Sequence, residues 1–163
     1  MQYSVLRSSE KVVEPMNVAT DNLMGKFEDA VPYGGRYAIT IQDMGLKYGD
    51  CHILTQKSDS TPVLLKVMAM WEKKTVKKIK AFRSNNFRKL CNFELENWCH
   101  IQGTVHEKSL PYNHKQNGFI EKYNRTIADI GRTLLCEYSL RWEFWEFAFT
   151  SSFQERMKRC FRS

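Results

Sequence analysis

Hydrophobic and polar positions repeat with two different periods along this chain. From Arg36 to Ile41 the period is two, with Tyr37, Ile39 and Ile41 on one side and Arg36, Ala38 and Thr40 on the other. That alternation predicts a strand, and Tyr33-Gly34-Gly35 before it reads as a turn. Val18 to Leu23 and Cys51 to Gln56 read as its neighbours, with Gly45 and Gly49 in a hairpin connection. Lys78 to Arg83 and Gly103 to Glu107 are two further short strands. From Gly118 to Tyr138 the period changes: Ile120, Tyr123, Ile127, Ile130 and Leu134 recur at helical spacing. Gly131 inside that helix costs about 1 kcal/mol against alanine, so a close contact with another helix is expected there. Ser60-Thr61-Pro62 opens an earlier helix with its body from Val63 to Lys73. Arg88 to Ile101 forms another, with the stripe Cys91, Leu95, Trp98 and Ile101. The last covers Arg141 to Arg159, led by Trp142, Phe144, Trp145, Phe147 and Phe149. The order β-β-β-α-β-α-β-α-α predicts an α/β fold, a mixed sheet covered by helices.

Composition narrows this picture. With 163 residues, 42% of them apolar, the chain can bury one real core. Residues 1–16 are polar and read as an irregular arm. Residues 17–138 read as the core, and 139–163 as a C-terminal helix packed on it or following it. No run approaches the roughly 18 apolar residues of a membrane span, so no membrane partner is expected. Residues 1–13 lack the apolar segment of a signal peptide. Five cysteines form no C-x-x-C, which argues against a zinc site or a disulfide framework and for a reducing compartment, nuclear or cytoplasmic.

The net charge of +7 favours a polyanionic partner. It is concentrated between Lys66 and Leu90, where nine basic residues face one acid, Glu72. That stretch reads either as a solvated helix end and connector, or as a phosphate-binding surface or nuclear-import signal.

The segment Pro111 to Thr126 carries the most specific information. It is a polar loop running into the long helix, with Glu121 one position off the buried stripe. It resembles the signature P-Y-x-P-x-Q-N-G-x-x-E-R-x-N-R-T of the integrase core of copia-type long-terminal-repeat retrotransposons. Further blocks of that family follow in order. Ala19 to Gly25 looks like H-T-D-x-x-G-P, and Gly35 to Asp43 like the strand G-x-R-Y-F-x-x-F-I-D-D. Lys80 to Asn86 looks like K-x-x-R-S-D-N, and Phe144 to Ala148 like F-W-x-E-A. The resemblance runs from Asn17 to Arg159.

The resemblance implies a ribonuclease-H-like fold with a five-stranded mixed sheet flanked by helices. It also implies a polynucleotidyl transferase that uses three carboxylates and two Mg²⁺ for in-line displacement at phosphorus. Carried over residue by residue, the catalytic positions are Asp21, Asn85 and Glu121. Only Asp21 and Glu121 are anionic metal ligands, because Asn85 replaces the family's aspartate. The 35 residues between Asn85 and Glu121 keep the family's spacing. Asn85 offers a neutral carbonyl oxygen and no charge, so weak Mg²⁺ binding and an inactive enzyme are expected. Phe87-Arg88 replaces the family's G-G, Gln42 the first Asp of I-D-D, and His114 a Pro.

The implied partner is DNA, met by Lys115, Gln116, Lys122 and Arg125 on the loop and the exposed helix face; self-association is left open. Asp21 is expected on the first, central strand, Asn85 just after the fourth, and Glu121 in the first turns of the long helix. The loop Asn113 to Asn117 is expected to border that opening. Two alternatives stand beside this reading. One is a non-catalytic DNA-binding or protein-interaction module, with the aromatic C-terminal helix as its surface. The other is a residually active Mg²⁺-dependent nuclease or strand transferase in which Asp43 or another acid replaces the missing one.

Overall fold

The computed structural model describes residues 13–27, 34–84, 92–108 and 114–160. Three strands form an antiparallel meander: β1 (Val18–Gly25), β2 (Tyr37–Asp43) and β3 (Gly49–Leu54). β4 (Ala81–Ser84) and β5 (Val105–Lys108) add in parallel on the far side of β1. The sheet order is β3-β2-β1-β4-β5, which puts β1 at the centre. The helices are α1 (Ser60–Thr75), α2 (Asn92–Gln102), α3 (His114–Glu137) and α4 (Trp145–Cys160). The elements follow the predicted order, and the five-stranded mixed sheet flanked by helices is the expected one. Residues 1–12, Asn85, Phe87-Arg88, Cys91 and Pro111 to Asn113 lie outside the described residues.

Each face of the sheet carries its own core. Ile39 and Ile41 pack with Leu64, Val67, Met68 and Trp71 of α1 and with Leu95 and Cys99 of α2. Spacings of three and four residues set those α1 side chains on one face, as α-helical geometry requires. On the other side Ala38 packs with Tyr123, Ile127 and Leu135 of α3 and with Trp145, Phe149, Phe153 and Met157 of α4. Each such large side chain contributes about 1.5–3 kcal/mol when fully buried. The side of β2 holding Ala38, Thr40 and Gln42 is therefore as buried as the isoleucine side. Its short side chains let α3 come close, and Thr40 donates a hydrogen bond to Asn124 Oδ1 of α3 at 2.8 Å.

Three local expectations change. α3 begins at His114, four residues before Gly118, because nothing from His114 to Asn117 breaks a helix that its amphipathic body already nucleates. The buried stripe of α3 runs through Ile127, Gly131 and Leu135, leaving Ile130 and Leu134 half-buried. A strict 3.5-residue repeat drifts around a straight helix of 3.6 residues per turn. On α2 the inward residue beside Leu95 is Cys99, while Ile101 is 68% exposed.

Gly131 lies against α4, as anticipated. A Cβ there would meet Ser152 Oγ at 3.5 Å and the Ala148 carbonyl carbon at 3.7 Å, which is ordinary contact. Gly131→Ala is therefore expected to stabilise the fold by up to about 1 kcal/mol through helix propensity. Urea unfolding checks this, and a loss of stability would mean that the α3–α4 contact has no room for a methyl group.

Candidate functional site

β1 places Asp21 at the middle of the central strand, 2% exposed. Its partner across the antiparallel ladder is Ile41. Opposed residues share a pleat, so Asp21 projects on the side that α1 and α2 cover. The parallel ladder to β4 ends one residue earlier, at Thr20 opposite Arg83. Asp21 thus stands where β4 parts from β1, at the switch between an antiparallel and a parallel neighbour. In open α/β sheets such a point leaves a crevice for ligands.

Glu121 arrives from the other side of the sheet. It is the eighth residue of α3, two turns into a helix of 24 residues, and it is exposed. A helix dipole acts within the first turn, so it does not account for a glutamate here. Asn124, one turn further on, does not share the exposure of Glu121 and Arg125. It is 4% exposed and anchored to Thr40. Lys122 and Arg125 are exposed, as a phosphate-contacting face requires. Lys115 and Gln116 belong to the helix backbone rather than to a loop. Their side chains lie outside the description, as does Asn85.

The motif that contains Asn85 has a structural job. Arg83 donates through Nε and Nη2 to one oxygen of Glu107 on β5, at 3.0 and 2.8 Å. Its carbonyl accepts from the Thr20 hydroxyl at 3.1 Å. The Ser84 hydroxyl pairs with His106 Nε2 at 2.7 Å. These bonds hold β4 between β1 and β5. Glu107, His106 and Thr40 escaped sequence reading because their partners are 22 to 84 positions away, and no local pattern marks them.

Asp43, the acid named as a substitute for the missing one, is engaged by the backbone. It is 1% exposed, and its two oxygens accept from the backbone N–H groups of Met16 and Leu46 at 3.1 and 2.8 Å. It also pairs with Ala19, two positions down β1 from Asp21. Gln42, in place of the family's other Asp, is equally buried and donates to the Lys47 carbonyl at 3.2 Å. Both residues secure the turn into β3.

Among the described residues no three His, Cys, Asp or Glu side chains gather where they could hold a metal ion. Asp21 is buried, Glu121 is exposed, and the second position of the sequence motif carries the neutral amide of Asn85. The chain therefore offers one carboxylate fewer than a pair of Mg²⁺ ions, which prefer anionic oxygens in octahedral array, would draw on. A thiol nucleophile is no better placed at Cys51. Burial, then the charge of Asp50, pushes its pKa up to about 12, so it stays protonated. The aromatic cluster of the C-terminal helix is divided: Trp145, Phe149 and Phe153 are core, while Trp142 and Phe147 are exposed, as are Tyr138 and Leu140. No described helix is long and apolar enough to cross a membrane.

No family model matches the chain. A curated relative is the retrovirus-related Pol polyprotein from transposon TNT 1-94 of Nicotiana tabacum, 30% identical over 138 residues. The match takes in 85% of this chain and only about a tenth of the polyprotein, 10% of its length. Among solved structures, a chain of the simian T-cell lymphotropic virus intasome in complex with PP2A regulatory subunit B56 gamma has the same fold. The TM-score is 0.65 at 13% identity, over 86% of this chain and 48% of that one.

Proposed function

We propose that this chain, an integrase-like core of the long-terminal-repeat retrotransposon type related to that Pol polyprotein, binds nucleic acid and does not transfer strands. The fold is ribonuclease-H-like. The observation that carries the reading is the donor set. Asp21 and Glu121 are the only acids of the expected three, one on the central strand and one on α3. Asn85 adds no charge, and an amide NH₂ beside it repels a cation. Phe87-Arg88 where the family has two glycines also denies that connection the backbone freedom of glycine.

Nucleic-acid affinity does not need the metal. Lys122 and Arg125 on the open face of α3, with Lys115 and Gln116 on the preceding turn by resemblance, would meet phosphates without reading bases. Binding to duplex DNA is expected to be independent of sequence and to fall steeply between 50 and 200 mM salt, with a log–log slope near −0.9 per phosphate neutralised. Binding that ignores salt, or is absent at low salt, would remove the electrostatic basis.

The deciding experiment sets the chain beside its Asn85→Asp variant. Strand transfer with Mg²⁺ is expected from neither, since Phe87-Arg88 persists in both. Mg²⁺ affinity, read by calorimetry, is expected to rise by on the order of tenfold in Asn85→Asp, equivalent to about 1.4 kcal/mol for one added carboxylate. Equal affinity for both forms would show that residue 85 is not a ligand position. Strand transfer by the unmodified chain would overturn the proposal.

A further inference from the structure

We infer that the exposed turn from Lys73 to Lys80 is a second surface for nucleic-acid phosphates, at the end of the sheet away from the candidate site. α1 ends at Thr75 and Val76 follows in the left-handed conformation, with φ 55° and 92% exposed. A β-branched residue in that conformation is an outlier. The turn is held in shape from both sides. Trp71 before it and Ile79 near its end are buried, at 3% and 2% exposed. Glu72 accepts from the Ile79 N–H at 2.9 Å and from Lys78 Nζ at 3.1 Å, and Lys78 also donates to Gln102.

That anchoring occupies the one acid and one lysine of the turn. Lys73, Lys74, Lys77 and Lys80 remain exposed, and no carboxylate pairs with them among the described residues. Lys66 is also exposed and lies two turns before Lys73 on the same side of α1. Two of these lysines, Lys73 and Lys74, complement the negative end of the α1 dipole. Lys77 and Lys80 lie beyond the helix, and the dipole does not account for them. The set is a fixed patch of point charges with no arginine fork among them, suited to phosphates rather than to bases.

Its position separates it from Asp21. Lys80 precedes β4, whereas Ser84 ends it, so at about 3.3 Å per residue the two ends are about 13 Å apart. The α3 face with Lys122 and Arg125 covers the opposite pleat. A receptor that takes a basic peptide in extended form does not suit this segment, because its first three residues are helical and the buried Trp71 and Ile79 tie it to the core. A phosphate backbone lying across a preformed surface does.

The inference rests on the proposed nucleic-acid binding, and the experiment separates the two. The full chain, a Lys73→Gln/Lys74→Gln/Lys77→Gln variant and a Lys122→Gln/Arg125→Gln variant are titrated with a 30-base-pair duplex from 50 to 200 mM salt. Circular dichroism confirms folding, since all the substituted residues are exposed. Losing three phosphate contacts is expected to flatten the log–log slope by about 2.7, so the loss of affinity over that range shrinks by about 40-fold. An unchanged slope in the triple variant, with a flattened one in the α3 variant, would overturn the second surface and leave the proposed function standing. Absence of binding by the unmodified chain at 50 mM would overturn both. Displacement of the duplex by a poly-glutamate peptide as readily as by unlabelled duplex would point to an acidic protein and overturn the assignment to nucleic acid.

Discussion

Gly35→Ala is expected to destabilise the domain by about 3–5 kcal/mol, from overpacking and a lost charged hydrogen bond together. Gly35 is buried where the chain enters β2, and its N–H donates to Glu146 Oε1 at 2.7 Å. Glu146 is 6% exposed in the first turn of α4. A Cβ on Gly35 would overlap both the Glu146 carboxylate and the Ile53 side chain. The backbone is not the obstacle, because Gly35 is not among the residues of positive φ. The whole cost is spatial: either α4 shifts away from β3, or the carboxylate turns and leaves a buried N–H unpaired. Glu146→Gln keeps an acceptor of the same shape and is expected to cost less, about 1–2 kcal/mol. Urea unfolding of the two variants measures this directly. A Gly35→Ala protein within 1 kcal/mol of the parent, below the 1–3 kcal/mol typical of overpacking, would show that the chain before β2 yields.

Asp43→Ala is expected to cost about 2–4 kcal/mol, because it orphans the buried Met16 N–H and the half-buried Leu46 N–H together. Asp43→Asn retains one acceptor oxygen and turns an NH₂ against the other donor, so it should fall between Ala and the parent. Mg²⁺ affinity should be the same in Asp43→Asn as in the parent. The opposite pattern, unchanged stability with weakened Mg²⁺ binding, would make Asp43 a ligand and revive the residually active enzyme.

Much of the architecture was legible in the chain. Alternation in β2, helical spacing in α1 and α3 and the turns between them depend on residues near one another in sequence. Backbone geometry turns those short-range patterns directly into strands and helices. The relation to an integrase core was legible for a different reason. Asp21, Arg83-Ser84 and Glu121 stand in blocks whose order survives when the surrounding residues change.

Burial and pairing were decided only in three dimensions. The alternation in β2 marks Ala38, Thr40 and Gln42 as its less apolar side, yet α3 and α4 cover that side as completely as α1 covers the isoleucines. Asn124 is a polar residue between the exposed Lys122 and Arg125, and it becomes a buried anchor because Thr40, 84 positions earlier, lies beneath it. Asp43 reads as a spare acid until the turn at Met16 folds over it. Asp21 and Glu121 read alike as acids of one motif set, and folding buries the first in the central strand while the second stays exposed on α3. In each case the chain states which groups are present. Which of them lose water, and which partner replaces it, depends on contacts between segments that no local period encodes.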